Sequence, residues 1–193
     1  MIYQTIYNSP VGKLKLVSDG NYLIGLHFSR EQHKSGPAIQ QKAVKPFPEV
    51  IRQLDEYFCG TRTEFDVPIR FIGTPFQVNA WEALKSIPYG ETISYKQQAE
   101  RVGSFPRAIG LANGQNPIAI IVPCHRVIGA DGQLVGYGGG LNLKKALLNF
   151  EAMVHDFGPQ PFASPLFAPC DGLRKGETGL ESMVKFFAEK RAK

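Results

Sequence analysis

Residues 94–114 read SYKQQAERVGSFPRAIGLANG, and this stretch decides how the second half of the chain folds. Ser94 and Gln97 have the spacing of a capping box, in which each side chain accepts a hydrogen bond from the backbone N–H of the other residue. We therefore predict a short helix from Ser94 to Gly103 and a second short helix over residues 105–112. Two short helices joined through a glycine turn indicate a helix-turn-helix, and an ordinary pair of packed helices is the alternative.

The residues on either side of this pair predict two more helices and a strand. The run TPFQ at residues 74–77 is a second capping box with proline at the first helical position, so a helix is predicted from there to Pro88. Residues 118–122, IAIIV, form a short apolar run that predicts a buried strand. Asn142 is a candidate N-cap for a further helix, in which apolar residues recur on one face.

The first half of the chain changes from a strand period to a helix period. Apolar runs separated by turn residues predict a three-stranded β-meander over residues 2–7, 13–17 and 22–28. The polar residues 29–46 predict a surface loop, and residues 48–60 have the apolar spacing of a helix. Residues 64–69 predict one more strand.

These elements predict an α/β (α+β) fold. The predicted units are an N-terminal β-meander-plus-helix domain over residues 1–72, a mostly helical helix-turn-helix domain over residues 73–154, and a proline-rich connector with an amphipathic helix over residues 155–193. The apolar face of that last helix needs somewhere to pack. We predict that it docks back on the protein's own surface, with a partner or dimer contact as the alternative.

Composition narrows the function classes. With 193 residues, 43% of them hydrophobic, the chain can bury a core without disulfides or metals. The N-terminus lacks the regions of a secretory signal, and no apolar run approaches the about 20 residues that span a bilayer. Three widely spaced cysteines make no disulfide framework, and four histidines show no metal-ligand spacing, so we predict a cytoplasmic protein without a metal. The net charge of +5 permits nucleic-acid binding without demonstrating it.

The strongest chemical signal is Cys124, which follows the apolar run and directly precedes His125. The thiolate is the nucleophilic form of cysteine, and an ordinary thiol with a pKa of about 8.5 needs a base near neutral pH. Adjacent side chains on an extended strand point apart, so this pair needs a turn or a bridging water to communicate. The alternative is that Cys124 is a small buried apolar residue.

Glu151 strengthens the catalytic interpretation because it lies on the apolar stripe of its predicted helix. A buried carboxylate requires a partner, and one that bonds His125 would fix the histidine tautomer and raise its basicity. The alternative places Glu151 at the edge of the stripe, facing water. Asn116 could mark a turn, and Arg107 could be an ordinary surface charge.

At residues 116–129 the run NPIAIIVPCHRVIG closely resembles the active-site signature of the O6-alkylguanine-DNA alkyltransferases. The resemblance extends upstream through TPFQ, Trp81, the run IPYGET at residues 87–92 and the run RAIG at residues 107–110. Downstream it includes the glycines around Tyr137 and the helix that holds Glu151. Residues 74–151 match well, the first seventy residues fit only in outline, and the last forty do not match.

The resemblance implies a role for each matching position. Cys124 would accept the alkyl group, His125 would act as the base through a water, Glu151 would orient His125, and Asn116 would join the same hydrogen-bond network. The implied DNA contacts are an arginine finger at Arg107 together with Tyr95, Ser94, Ala108 and Gly110. The implied substrate pocket consists of Val127, Tyr137, Gly138, Gly139 and Trp81.

The resemblance also implies the activity and the fold. A monomer without a cofactor would flip O6-alkylguanine out of double-stranded DNA and transfer the alkyl group irreversibly to Cys124. Its N-terminal domain would be ribonuclease H-like. Two alternatives stay open: a thiol hydrolase that uses Cys124, His125 and Glu151, and a lesion-binding sensor that transfers nothing.

Overall fold

The computed structural model describes residues 1–28 and 38–157, and these residues form a small sheet followed by a mostly helical half. In chain order the elements are β1 (Tyr3–Ser9), β2 (Gly12–Ser18), β3 (Leu23–Phe28), β4 (Ile39–Gln40), α1 (Phe47–Phe58), α2 (Pro75–Leu84), β5 (Ile93–Ser94), α3 (Tyr95–Val102), α4 (Pro106–Gly114), a 3₁₀ turn (Cys124–Arg126), β6 (Val127–Ile128) and α5 (Leu141–Phe157). Most of the predicted connector and the C-terminal helix lie outside the described residues.

The first three strands form the predicted antiparallel meander, in the spatial order β3-β2-β1-β4. On β2, Leu14 and Leu16 are fully buried, whereas Lys13 is exposed and Lys15 is half-buried. This alternation is what a sheet with one face on the core produces. Helix α1 covers the buried face with apolar residues that include Phe47, Val50 and Leu54.

Strand β4 corrects the surface loop predicted over residues 29–46. It pairs in parallel with the start of β1, where the N–H of Ile39 donates to the Ile2 carbonyl at 2.9 Å. Both residues of β4 are exposed, so no apolar alternation marks it in the sequence. Backbone bonding at the sheet edge alone makes it a strand.

The strand predicted over residues 64–69 is wrong. The chain there makes one isolated bridge, between Leu23 and Ile69, in which the N–H of Leu23 donates to the Pro68 carbonyl at 2.8 Å. The Arg70 N–H donates back to the Leu23 carbonyl at 3.0 Å. Pro68 has no N–H, so the ladder cannot extend toward the residues before it.

Helices α3 and α4 form the helix-turn-helix. Both hydrogen bonds of the Ser94–Gln97 capping box are present, at 3.1 and 2.7 Å, and Gly103 ends α3 with a φ of +68°. The buried Gln98 amide pairs with the Asn113 amide through bonds of 2.7 and 3.2 Å. These two buried bonds hold α4 in register on α3.

The apolar run at residues 118–122 is a buried turn, which corrects the predicted strand. The N–H of Val122 donates to the Ile118 carbonyl at 3.0 Å, so the chain bonds to itself. The run reaches the sheet at a single bridge between Ile118 and Leu26, and Ile120 adopts a φ of +70°. A β-branched residue with this φ is a strained position that the surrounding core must hold. The turn reverses the chain just before Cys124.

One buried cluster joins the two halves. It contains Tyr57 and Phe58 at the end of α1, Trp81 on α2, and Leu147 and Phe150 on α5. The predicted boundary between residues 72 and 73 stays a prediction. Across the described ranges, no helix has both the length and the apolar character needed to cross a membrane.

Candidate active site

Cys124 begins the 3₁₀ turn and is 7% exposed. The preceding turn is closed by Asn116, whose side-chain amide donates to the Val122 carbonyl at 2.8 Å and accepts the Ile118 N–H at 3.1 Å. Asn116 therefore fixes the loop that presents the cysteine. The 3₁₀ conformation also supplies the turn that the Cys124-His125 pair needed.

His125 and Glu151 form the predicted buried pair, with 2.9 Å between His125 Nε2 and Glu151 Oε1. Both side chains are fully buried. Burial lowers the pKa of His125, and the Glu151 carboxylate opposes that effect only in part. Burial acts to raise the pKa of Glu151, but its interactions with His125 and Arg126 outweigh that effect and hold the pKa well below its usual range. The site thus contains a neutral imidazole beside a carboxylate.

Arg126 is a third member of this network, which the sequence analysis did not assign. Its Nε donates to Glu151 Oε2 at 2.8 Å, its Nη2 donates to Oε1 at 3.0 Å, and its Nη1 donates to the Ile87 carbonyl at 2.7 Å. Such a two-pronged contact compensates the burial of a carboxylate. The only sequence signal for it was the position of Arg126 directly after His125.

The network also sets the histidine tautomer. An ionised Glu151 can only accept, so His125 Nε2 must carry a proton and donate it to Oε1. In the neutral imidazole this leaves Nδ1 as the acceptor. Nδ1 is buried and makes no hydrogen bond to any described residue. The arrangement therefore leaves a bare, basic Nδ1 on the residue that follows Cys124.

A cavity of about 550 Å³ opens beside Cys124. Its lining is Tyr95, Pro106, Arg107, Gly110, Asn113, Gly114, Cys124, Val135, Gly136, Tyr137 and Gly138. Six of these residues were predicted site residues: Tyr95, Arg107, Gly110, Cys124, Tyr137 and Gly138. The α4 helix thus forms one wall of the cavity at whose surface the cysteine lies.

Eight predicted site residues do not line this cavity. Three of them, His125, Glu151 and Asn116, belong to the hydrogen-bond networks described above, and the other five lie elsewhere. Trp81 is 2% exposed and its indole N–H donates to the Ala112 carbonyl at 2.8 Å, so its placement supports packing rather than a pocket role. A Cβ on Gly139 would collide with the side chains of Leu143 and Phe28, so close packing explains that glycine. Val127 is buried in β6, Ser94 caps α3, and Ala108 is half-buried on α4.

Lys144 is a residue that the sequence analysis missed. It is fully buried on α5, and its ammonium donates to the carbonyls of Val135 and Gly136 at 2.9 and 3.4 Å. Burial lowers its pKa to about 8, and the charge of a Cys124 thiolate counteracts this effect. Its spacing of seven residues before Glu151, on the same helix face, was the available signal. Lys144 braces the cavity wall and places a positive charge near the thiol.

Replacing Lys144 with methionine should change how stability depends on pH. The unfolded chain holds this proton up to about pH 10.5, whereas the folded protein holds it only up to about pH 8. The free energy of unfolding of the wild-type protein should therefore rise relative to Lys144→Met as the pH increases between these values. Urea denaturation of both proteins at pH 7 and pH 10 measures the difference, and a pH-independent difference would contradict the buried charge.

The described ranges contain no group of three or more histidine, cysteine, aspartate or glutamate side chains that could hold a metal ion.

The chain is similar to known proteins along most of its described length. Two family profiles match the chain: one described as "6-O-methylguanine DNA methyltransferase, ribonuclease-like domain" at residues 2–71, and one described as "6-O-methylguanine DNA methyltransferase, DNA binding domain" at residues 75–153. The methylated-DNA–protein-cysteine methyltransferases of Mycobacterium tuberculosis and Mycobacterium leprae are 48% and 49% identical to this chain over 153 residues, covering 78% of this chain and 93% of each relative.

A solved structure agrees with the profiles. The crystal structure of Mycobacterium tuberculosis OGT in complex with DNA is 48% identical in sequence and has a TM-score of 0.73, covering 78% of this chain and 92% of that chain. The α+β fold predicted from the sequence is confirmed. On the strength of both profiles and of relatives matched over nearly their whole length, this chain belongs to the 6-O-methylguanine DNA methyltransferase family.

Proposed function

We propose that the protein repairs O6-alkylguanine in double-stranded DNA by irreversible transfer of the alkyl group to Cys124. The observation that carries the proposal is the cavity, because Cys124 and the wall of the helix-turn-helix come together there. The next residue in the chain, His125, is held by Glu151. A thiol beside a base supplies the nucleophile, and a helix-turn-helix supplies a surface for the duplex.

The chemistry is one displacement. His125 Nδ1, acting through a water, takes the thiol proton, while Glu151 stabilises the resulting imidazolium. The Cys124 sulfur then attacks the alkyl carbon, so an S–C bond forms as the C–O6 bond breaks. Guanine leaves with the electron pair of that bond and regains a proton. The thioether does not hydrolyse, so each protein molecule acts once.

The position of the target atom requires the base to leave the helix. O6 is buried in the stacked duplex, and extruding the nucleotide costs a few kcal/mol. Arg107 is exposed at the edge of the cavity, so it can enter the stack where the base has left. Ala108 and Gly110 lie beside it on α4, and their small side chains let the helix approach the duplex closely. Ser94, whose side chain caps α3, would contact the DNA backbone.

The flipped base would lie between the two tyrosines of the cavity. Tyr95 and Tyr137 line it, and the Tyr95 hydroxyl donates to the Val135 carbonyl at 3.4 Å, which connects the two walls. The Gly138 backbone and the carbonyls of Cys124 and Val127 would read the polar edge of the base. A nucleophile of this kind must stay a reduced thiol, so we infer that the protein acts in the cytoplasm.

Intact-mass measurement tests the proposal. The protein is incubated with a duplex that contains one O6-methylguanine, and the masses of protein and DNA are followed. We expect one methyl group on each protein molecule and an equal amount of restored guanine. Restored guanine in large excess over protein would favour a thiol hydrolase, and binding without any change of mass would favour a sensor.

Arg107→Ala tests the role of α4. The variant should lose about a hundredfold in transfer rate on duplex DNA, because misplacing a reacting group costs rates on that order. The rate with free O6-benzylguanine should stay nearly unchanged, because a free base needs no help to leave a stack. Arg101→Ala, which changes an exposed arginine at the end of α3, is the matched control. Equal losses of Arg107→Ala on both substrates would contradict the finger role.

A further inference from the structure

Glu151 receives two more hydrogen bonds, and one of them comes from the other half of the molecule. The Tyr57 hydroxyl on α1 donates to Glu151 Oε1 at 2.8 Å across a separation of 94 residues. Tyr57 is fully buried, and its position on the apolar face of α1 identifies it in the sequence only as a core residue. Neither the transfer chemistry nor the DNA surface described above uses it.

The two oxygens of Glu151 have unequal sets of donors. Oε1 accepts from Tyr57, from His125 Nε2 and from Arg126 Nη2, whereas Oε2 accepts from Arg126 Nε and, at 3.3 Å, from the Gly90 N–H. Oε1 is therefore the oxygen that orients the histidine. Among the described residues, Arg126 is the only side chain besides Tyr57 and His125 that donates to Oε1.

Tyr57 is a permanent donor in a fixed position. Its ring lies 5.4 Å from the ring of Phe65 and 5.6 Å from that of Phe150, between centroids, so the hydroxyl has little freedom to move. Burial first, and the Glu151 charge next, raise the pKa of Tyr57 well above its usual value. The phenol therefore stays protonated wherever the protein is folded and can only donate to the ionised carboxylate.

We propose that Tyr57 is a positioning residue for alkyl transfer, through which the N-terminal half holds Glu151 in the orientation that keeps His125 protonated on Nε2 and bare on Nδ1. The inference rests on the proposed function, in which His125 Nδ1 takes the proton of the Cys124 thiol and the tautomer of His125 therefore matters. Loss of the Tyr57 hydroxyl lets the carboxylate turn away from the imidazole. The proton is then shared between the ring nitrogens, and the base beside Cys124 is present for only part of the time.

The other charged and polar groups at this site do not duplicate that role. Arg126 binds both carboxylate oxygens and so does not select one of them. Lys144 acts on His125 only through its charge. The Tyr89 hydroxyl is buried near Glu151 but makes no hydrogen bond to a described residue. Tyr89→Phe thus removes a buried hydroxyl close to the same carboxylate without removing a bond, which makes it the matched control for Tyr57→Phe.

The experiment measures the reactivity of Cys124 without DNA. Wild-type protein, Tyr57→Phe and Tyr89→Phe are treated with iodoacetamide at neutral pH, and alkylation of the Cys124 peptide is followed by mass spectrometry. We expect Tyr57→Phe to react about tenfold more slowly, on the order of one hydrogen bond to a charged group, and Tyr89→Phe to react at nearly the wild-type rate. Wild-type reactivity in Tyr57→Phe would overturn the proposal.

A spectroscopic readout separates positioning from a general loss of structure. NMR of ¹⁵N-labelled histidine should show His125 protonated on Nε2 in wild-type protein and Tyr89→Phe, and a mixture of tautomers in Tyr57→Phe. If Tyr57→Phe does not fold, the wild-type spectra still decide the matter. They must show bare Nδ1 and a slowly exchanging Tyr57 hydroxyl proton, and the opposite tautomer or a rapidly exchanging hydroxyl would overturn the proposal.

These measurements are independent of the repair reaction. A protein that shows the tenfold difference but takes no methyl group from DNA would support the role of Tyr57 and contradict the proposed function. If instead the wild-type protein takes the methyl group and Tyr57→Phe reacts with iodoacetamide as fast as the wild type, the proposed function is supported and the role of Tyr57 is contradicted.

Discussion

Cys124→Ser should take up no methyl group from an O6-methylguanine duplex while it still binds that duplex. A serine hydroxyl is a far weaker nucleophile than a thiolate. It is also much less acidic than a thiol, so the neighbouring histidine would not ionise it. Binding should survive because the surface that we propose for DNA contact consists of α4 and Tyr95, which the substitution leaves in place. Mass spectrometry measures the uptake, and fluorescence anisotropy with a labelled duplex measures the affinity.

Cys59→Ser is the matched control for this experiment. Cys59 lies at the end of α1, is half-buried and does not line the cavity. We expect the control to transfer at the wild-type rate. Transfer by Cys124→Ser at a measurable rate would contradict the assignment of the nucleophile, and loss of binding in that variant would contradict the separation of binding from chemistry.

Arg126→Met should be the most destabilising single substitution in the site. Glu151 would remain fully buried without the guanidinium that binds both of its oxygens, and leaving a buried charge without its partner costs about 3–5 kcal/mol. The free energy of unfolding, measured by urea denaturation with circular dichroism, should fall by that amount. If it does not, Glu151 is not held as a buried ion.

Two further variants make this measurement specific. Arg52→Met removes an arginine that also bonds carboxylates, those of Glu49 and Glu56, but that arginine is 53% exposed, so the loss should stay below about 1 kcal/mol. The double variant Arg126→Met/Glu151→Gln removes the unpaired charge as well and should recover part of the stability. A double variant as unstable as the sum of its two singles would contradict this coupling.

Local signals carried most of the correct predictions about the fold. The capping boxes at Thr74 and Ser94 depend on residues three apart, and both are formed as their spacing predicts. Gly103 is likewise a local requirement, because the end of α3 needs a positive φ. The meander was predictable because one buried face imposes alternation on each strand.

The sequence was least informative where individual hydrogen bonds decide the structure. An apolar run such as residues 118–122 suits a buried strand, but the Asn116 amide and the self-bonding of the run make it a turn. Trp81 lies in a part of the sequence that resembles the family, yet its indole bonds the Ala112 carbonyl inside the core. Neither contact is reflected in the spacing of apolar residues, so the sequence pattern could not predict it.

The site could be predicted only where its residues carry a local signal in the sequence. Cys124 and His125 are adjacent, and Glu151 was conspicuous as a carboxylate on an apolar stripe. Arg126, Lys144 and Tyr57 complete the electrostatics, but each acts through a partner that only the tertiary fold brings near. A buried carboxylate signals that donors must exist, and it does not identify them.

Peptide mapping after one turnover tests whether Cys124 is the residue that accepts the alkyl group. Wild-type protein is incubated with an excess of O6-methylguanine duplex, digested, and analysed for the position of the methyl group. Irreversible transfer to Cys124 predicts S-methylcysteine at that residue in a one-to-one ratio with repaired guanine, and no further repair when fresh duplex is added. A methyl group on Cys59 or Cys170, or continued repair by protein that is already methylated, would contradict it.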